Sequence, residues 1–130
     1  ILEEDAMGVG MGIHGEPGIE TSKLKPADEV AELLVERLLA DLPFKAGDEV
    51  AVLVNGLGAT PSEELYILWS KAHELLLSHG LKVRNCFVGE YGTSLEMAGC
   101  SISLLRLDDE LKQLLNAPAH SPFLPQWSCK

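Results

Sequence analysis

The feature that most constrains the fold is a continuous apolar run, VAVLV, at residues 50–54. An uninterrupted run of this kind is typical of a strand buried on both faces of a sheet. The run stands between two stretches in which apolar residues recur at helical spacing. The first stretch extends from Val30 to Leu42 and stops at Pro43, and the second extends from Leu65 to Leu76 and stops at Gly80. The sequence therefore predicts strands that alternate with helices.

The remaining elements follow from the same patterns. Helices are expected to begin at Pro26, at Pro61 with Thr60 as N-cap and Glu63 completing a capping box, and after Asp108. A tail at residues 117–130, with three prolines, is expected to be extended. Four strands are predicted, at Leu2–Ile13, Val50–Val54, Leu81–Gly89 and Ser101–Leu107, and Gly15–Lys25 is predicted to be a loop.

Connectivity then predicts how these strands pair. Helical crossovers favour parallel pairing of the first three strands, and the short connection before the fourth favours its antiparallel pairing with the third. The expected architecture is a single α/β domain with a mixed, mostly parallel sheet packed with helices. A length of 130 residues suits one such domain.

Charge and cysteine content exclude several classes of function. A net charge of −10 disfavours binding to nucleic acid or to an anionic membrane surface, and no apolar run is long enough to cross a bilayer. The three cysteines, Cys86, Cys100 and Cys129, are far apart in sequence. We interpret them as reduced thiols of a cytoplasmic protein.

Two motifs resemble functional sites but lack the required spacing. In HELLLSH, His73 and His79 are six residues apart, about 240° around a helix, so they cannot chelate one metal ion from the same helix face. GLGATP at residues 56–61 resembles a phosphate-binding turn. It lacks a third glycine and a P-loop lysine, and Glu63 and Glu64 follow it. A plain turn before a helix is therefore favoured over nucleotide binding.

One histidine has a more informative setting. The stretch MGVGMGIHGEPGIE, residues 7–20, alternates glycine with apolar residues and places His14 between Gly12 and Gly15. Glycine at alternate positions weakens a strand and marks close approach of a backbone or a ligand. Because no other histidine, cysteine or carboxylate stands at ligand spacing, a nucleophile or base suits His14 better than a metal ligand. Glu16 is a candidate to orient the ring.

The same stretch strongly resembles the signature of dihydroxyacetone kinases, in their substrate-binding subunit DhaK. The resemblance continues through VAVLVNGLGATPSEELY, GEYGTSLEMAGCSISLLRLDDE and NAPAHSP. The segment between Leu24 and Phe44 has no clear counterpart. The resemblance identifies residues 1–130 as a C-terminal domain, with the family's N-terminal domain absent from this sequence.

In this family, the matching histidine adds to the keto carbon of dihydroxyacetone and forms a hemiaminal, which makes His14 the catalytic and substrate-binding residue. The resemblance also implies that the general base lies in the N-terminal domain. This domain would then bind no cofactor or metal, and ADP or ATP with Mg²⁺ would be carried by a helical partner subunit or domain. The proline-rich end favours the branch that uses an ADP-carrying subunit fed by phosphoenolpyruvate, and a homodimer is expected.

Three alternatives remain open from the sequence. Some relatives keep the histidine but act as dihydroxyacetone-sensing coactivators of transcription, and other kinases use ATP directly. A third interpretation makes the domain mainly a dimerisation module, with the turn region Tyr91–Met97 at the interface.

Overall fold

The computed structural model describes residues 2–12 and 16–126. Its elements in chain order are β1 (Ala6–Val9), β2 (Glu20–Lys23), α1 (Ala27–Asp41), β3 (Glu49–Gly58), α2 (Ser62–Ser78), β4 (Lys82–Gly89), β5 (Ala98–Arg106) and α3 (Asp109–Leu115). The α/β class and the mixed sheet are confirmed.

The main sheet has three strands in the order β4–β3–β5, with β3 at its centre. Strand β4 pairs with β3 in parallel, and β5 pairs with β3 antiparallel. The sheet is therefore mixed in equal parts in the described residues, and the prediction of a mostly parallel sheet was wrong. The core lies on one face, where Val50, Val52 and Val54 of β3 pack under α1 and α2.

The predicted pairing of the first strand was also wrong. Strand β1 does not join the main sheet in the described chain but forms an antiparallel hairpin with β2, from Ala6 opposite Lys23 to Val9 opposite Glu20. Strand β2 lies inside the segment predicted to be a loop. The connection between β1 and β2, residues 10–19, is short. A parallel pair would need a crossover of a dozen or more residues, so these two strands pair antiparallel.

The last strand is antiparallel, as predicted, but its neighbour is β3 and not β4. The eight-residue crossover loop, residues 90–97, passes over the end of β3 and brings the chain to the other edge of that strand. The sequence pattern indicated strand direction correctly but did not show this crossing.

The predicted helix limits hold to within a residue or two, with one correction at a cap. Asp108 is the N-cap of α3, because its carboxylate accepts from the Leu111 N–H at 2.8 Å. Thr60 does not cap α2, since that helix has Pro61 at the N-cap and no side-chain capping bond. Gly80 follows α2 in the left-handed conformation, with φ +78°. None of the helices in the described part of the chain is long and apolar enough to span a membrane.

Candidate functional site

The β1–β2 hairpin carries the predicted site, although His14 itself lies outside the described residues. The two ends of the segment that contains it are close together, because the Gly12 N–H donates to the Glu16 carbonyl oxygen at 3.3 Å. The Ile19 N–H donates to the Val9 carbonyl oxygen at 2.7 Å and closes the hairpin below that point. The backbone therefore holds both ends of residues 12–16.

Two glycines of the alternating pattern are required by the hairpin itself. Gly10 has φ +74°, and a Cβ there would lie 2.7 Å from the side chain of Ile19. A Cβ on Gly18 would lie 2.9 Å from the Val9 carbonyl oxygen. Part of the glycine pattern thus reflects close approach within the protein. Gly8 differs, because a Cβ there would make only ordinary contacts.

An ion pair joins the hairpin to the helical layer. Arg37 of α1 donates to the carboxylate of Glu20 in β2 at 2.5 Å. Val9 of β1 is buried. Both members of the ion pair are exposed, so it is a surface contact between the hairpin and α1.

A second cluster of signature residues lies at the carboxyl end of β3, where the crossover loop passes. Asn55 is 7% exposed, and its side chain makes three hydrogen bonds to the loop. Its Nδ2 donates to the Gly92 carbonyl oxygen at 2.7 Å, and its Oδ1 accepts from the N–H groups of Tyr91 at 2.7 Å and Gly92 at 3.0 Å. Asn55 was not predicted from the sequence to be important. The available signal was a polar residue directly after the buried VAVLV run.

The first half of GLGATP, Gly56–Gly58, is the end of β3 and not a turn as predicted, and the motif contacts the crossover loop. The Gly58 N–H donates to the Thr93 hydroxyl at 3.0 Å, and the Ala59 N–H donates to the Met97 carbonyl oxygen at 2.8 Å. The Thr93 hydroxyl in turn donates to the carboxylate of Glu90. A phosphate would need free backbone donors at this turn, and these two are already bonded within the protein. The geometry supports the structural interpretation of the motif.

The described histidines and cysteines have separate surroundings. The ring of His73 lies 5.0 Å from that of Trp69, whereas His79 Nδ1 lies 2.9 Å from the Leu75 carbonyl oxygen. Within residues 2–12 and 16–126, no three His, Cys, Asp or Glu side chains are arranged to hold a metal. Cys86 and Cys100 are free thiols. Burial raises the pKa of Cys86 to about 11 and raises that of Cys100, which disfavours both as thiolate nucleophiles.

Comparison with known proteins places these elements in a family. The Dak1 domain family matches residues 1–123. The dihydroxyacetone-binding subunit DhaK of PTS-dependent dihydroxyacetone kinase 2 from Listeria innocua is 45% identical over 122 residues, which are 94% of this chain and 37% of that protein. The chain thus spans less than two fifths of that relative's length.

Two solved structures have the same fold. The dihydroxyacetone kinase operon co-activator Dha-DhaQ superposes with a TM-score of 0.84 at 38% identity, over 91% of this chain and 37% of that one. The dihydroxyacetone kinase from C. freundii in complex with AMP-PNP and Mg²⁺ gives a TM-score of 0.75 at 28% identity, over 95% of this chain and 22% of that one. Because the family match covers nearly all of the sequence, the chain belongs to the Dak1 domain family.

Proposed function

We propose that this chain is the C-terminal domain of a dihydroxyacetone kinase subunit and that it holds dihydroxyacetone covalently on His14. The observation that carries the proposal is the closed hairpin around residues 12–16, in a chain 45% identical to a dihydroxyacetone-binding subunit. The hairpin brings together the described residues on either side of His14, Gly12 and Glu16. Glu16, whose carboxylate lies beside Gly12, is proposed to orient the ring.

The proposed chemistry is addition of a neutral imidazole to a ketone. The lone pair of one ring nitrogen forms a C–N bond to the keto carbon, and the π electrons of the carbonyl move to its oxygen. That oxygen takes up a proton while the other ring nitrogen releases one, which yields a neutral hemiaminal. The imidazole of histidine supplies such a nucleophile near neutral pH, because its unperturbed pKa is about 6.5.

Covalent capture explains how the site would select its substrate. Glycerol has nearly the shape of dihydroxyacetone but has no electrophilic carbon, so it cannot form the bond. Hydrogen bonds to hydroxyl groups alone would distinguish the two poorly. The Glu16 carboxylate fills the space beside Gly12, so we propose that Gly8, where a Cβ would make only ordinary contacts, leaves room for a three-carbon ligand.

The phosphoryl group is proposed to come from a separate subunit. The named relative is PTS-dependent, which favours an ADP-carrying subunit fed by phosphoenolpyruvate over direct use of ATP. Bonded N–H groups at Gly58 and Ala59 and the acidic pair Glu63 and Glu64 support the proposal that nucleotide and Mg²⁺ are bound elsewhere. We further propose a homodimer in the cytoplasm, where the cysteines stay reduced.

Mass spectrometry of the full-length subunit tests the covalent step. After incubation with dihydroxyacetone and rapid denaturation, a peptide that contains His14 should gain the mass of one dihydroxyacetone. The adduct should be absent with glycerol and in His14→Gln. The matched control is His79→Gln, because His79 is exposed at the end of α2 and should not affect capture. An adduct on another residue, or full kinase activity in His14→Gln, would refute the proposal.

A second candidate function is sensing without catalysis. It is favoured by the fold match to an operon co-activator, at 38% identity. Both candidates share capture on His14, so the adduct does not distinguish them. A phosphorylation assay does: the full-length protein is mixed with the ADP-carrying subunit, its phosphotransferase carriers and phosphoenolpyruvate. Formation of dihydroxyacetone phosphate supports the kinase, and capture without turnover supports the sensor.

A further inference from the structure

One dipeptide at the end of β3 has the composition that favours spontaneous deamidation. The chain has three asparagines, Asn55, Asn85 and Asn116, and of these only Asn55 is followed by glycine. Asparagine is one of the thermally labile residues of proteins. Because Gly56 carries no side chain, its backbone nitrogen can approach the preceding side-chain amide with little steric hindrance. The Asn55–Gly56 dipeptide is therefore the position at which this sequence is most susceptible to the reaction.

The reaction requires only these two residues, hydroxide and water. The Gly56 nitrogen loses its proton to hydroxide and forms a bond to Cγ of Asn55, while the side-chain amide takes up a proton and leaves as ammonia. Water then opens the cyclic imide at one of its two carbonyl groups. Opening at one carbonyl gives aspartate, and opening at the other gives isoaspartate, in which the main chain passes through the former side chain.

In the folded protein the side chain of Asn55 is held away from the Gly56 nitrogen. Asn55 is 7% exposed, and its amide makes hydrogen bonds to the Gly92 carbonyl oxygen and to the N–H groups of Tyr91 and Gly92. These three hydrogen bonds must break before Cγ can turn toward Gly56. All of the partner groups belong to the crossover loop, so the loop must move before the reaction can begin.

The backbone of the same dipeptide is held by the sheet. Asn55 pairs with strands on both sides, and Gly56 pairs with Cys100 of β5. Gly56 is buried, and a Cβ there would lie 3.1 Å from Cδ1 of Leu65 on α2. Ring closure requires the backbone at Asn55 to leave the extended conformation of the strand. Deamidation therefore requires local opening of the carboxyl end of β3.

We propose that Asn55–Gly56 is a latent deamidation site and that the crossover loop controls its reaction. Loss of ammonia makes the change irreversible, so each modified molecule has opened at this position. Aspartate has no side-chain N–H to donate to the Gly92 carbonyl oxygen, and its carboxylate would place a negative charge beside that oxygen. Isoaspartate lengthens the main chain of β3 and disturbs the pairing of Gly56 with Cys100. Either product should hold the crossover loop less firmly than asparagine does.

Peptide mapping by mass spectrometry tests the proposal on the full-length polypeptide that contains this chain. Samples are incubated in mildly alkaline buffer, either folded or unfolded in urea, and conversion of each asparagine is followed over time. In urea, Asn55 should react faster than Asn85 and Asn116. In the folded protein its rate should be at least about 30-fold lower, because only the open fraction reacts. Asn116, which is exposed at the end of α3, is the internal control and should be slowed much less.

A pair of variants tests the control by the crossover loop without altering the reacting residues. Thr93→Val removes the hydroxyl that accepts from the Gly58 N–H and donates to Glu90. It should raise the rate at Asn55 in the folded protein by at least about threefold, because the loop loses two of its hydrogen bonds. Thr93→Ser keeps the hydroxyl and should react at the wild-type rate.

Three results would overturn the proposal. Equal rates at Asn55 in folded and unfolded protein would show that the fold does not protect the dipeptide. Equal rates in Thr93→Val and Thr93→Ser would show that the crossover loop does not control the reaction. A local opening exposes little surface, so the rate in the folded protein should be nearly constant in low urea. A rate that rises with urea as steeply as the unfolding equilibrium would assign the reaction to globally unfolded molecules.

The effect of the modification on the loop is measured by hydrogen exchange. In Asn55→Asp, the amides of Tyr91 and Gly92 should exchange at least about tenfold faster than in the wild type, whereas Asn85→Asp should leave them unchanged. If Asn55→Asp does not fold, the deamidated fraction of aged wild type, separated by its added negative charge, gives the same measurement. Unchanged exchange would contradict the release of the loop. None of these measurements involves capture on His14, so their failure would leave the proposed function intact.

Discussion

Asn55 shows how one buried amide can fix the path of the chain between two strands. Replacing it with alanine would leave the N–H groups of Tyr91 and Gly92 and the Gly92 carbonyl without their partner. Buried groups that lose their hydrogen bonds cost about 1–3 kcal/mol each, with water recovering part of the loss. We expect Asn55→Ala to lower the free energy of unfolding by about 2–3 kcal/mol in urea titrations.

Asn85→Ala is the matched control for that measurement. Asn85 is also an asparagine of the main sheet, but its amide makes one exposed hydrogen bond, to Asn116 at 3.2 Å. Its replacement should cost no more than about 0.5 kcal/mol. Equal losses of stability in the two variants would show that the amide of Asn55 does not hold the crossover loop.

Gly58 allows a second test, in which backbone strain is separated from steric overlap. Gly58 and Gly47 both have positive φ, +77° and +95°, but their surroundings differ. A Cβ at Gly58 would overlap the carbonyl oxygens of Met97 and Ser94, whereas a Cβ at Gly47 would meet nothing within 4 Å. Gly47→Ala should therefore cost only the left-handed strain, about 1–2 kcal/mol.

Gly58→Ala should cost at least about 3 kcal/mol, because the crossover loop must move as well. Thermal or urea unfolding of both variants measures the difference. If the two substitutions were equally costly, the contact between Gly58 and the loop would not be important for stability.

At the level of elements, the patterns that the sequence predicted well are those set by local spacing. Helices α1 and α2 repeat apolar residues along one face, and Pro43 and Gly80 end them for local steric reasons. The hairpin and the neighbour of β5 were not predicted correctly, because strand pairing depends on contacts between residues far apart in sequence. Nothing near Ser101 shows that its partner is Asn55.

Helix α3 depends on an ion-pair cluster at the start of β3. The carboxylate of Glu49 accepts from Lys112 Nζ at 2.6 Å and from the guanidinium of Arg84 on β4. Lys112 lies on α3 and also contacts Asp109 at 2.8 Å. Glu49 thus joins three elements through one side chain. Glu49→Gln should lower the urea midpoint at pH 7, and the control Glu29→Gln, which removes one exposed pair with Lys25, should change it little.

The cluster also predicts a dependence of stability on pH. Hydrogen bonds from Lys112 and then Arg84 hold the pKa of Glu49 below its ordinary value of 4.5. A lowered pKa in the folded state stabilises the protein above pH 4.5, and this contribution is lost as the pH falls through the lowered pKa. The urea midpoints of the wild type and Glu49→Gln should therefore converge in acid. A gap that stays constant from pH 7 to pH 3 would contradict this origin.

The pKa of Lys112 is shifted in the opposite direction, which limits the stabilisation at high pH. Its pKa is raised above 10.5, mainly by its hydrogen bond to Asp109 and then by that to Glu49. The stabilising contribution is present below pH 10.5 and is lost as the pH rises through the raised pKa. The ion-pair cluster should therefore stabilise the fold most between the lowered pKa of Glu49 and the raised pKa of Lys112, a range that includes neutral pH.

At the scale of the whole molecule, the sequence alone indicated the candidate site but not its surroundings. The signature around His14 could be recognised from residue types, because alternating glycines and an isolated histidine can be identified in the sequence without knowledge of the fold. The hydrogen bonds between Asn55 and Gly92 could not be predicted from residue types, because they join residues 37 positions apart in the sequence. Such contacts are fixed by topology.

The last prediction concerns what the chain can do by itself. The chain spans 37% of the length of a relative named as a dihydroxyacetone-binding subunit, and the family resemblance predicts that the general base lies in the remaining part. A histidine that anchors the substrate without a base to remove the hydroxyl proton leaves phosphoryl transfer without general-base catalysis, which typically contributes 10²–10⁴-fold. We expect the isolated 130-residue chain, supplied with the ADP-carrying subunit and phosphoenolpyruvate, to form no detectable dihydroxyacetone phosphate, whereas the full-length subunit turns over under the same conditions. Turnover by the isolated chain would place the complete catalytic apparatus within these residues and would require a base among its own carboxylates.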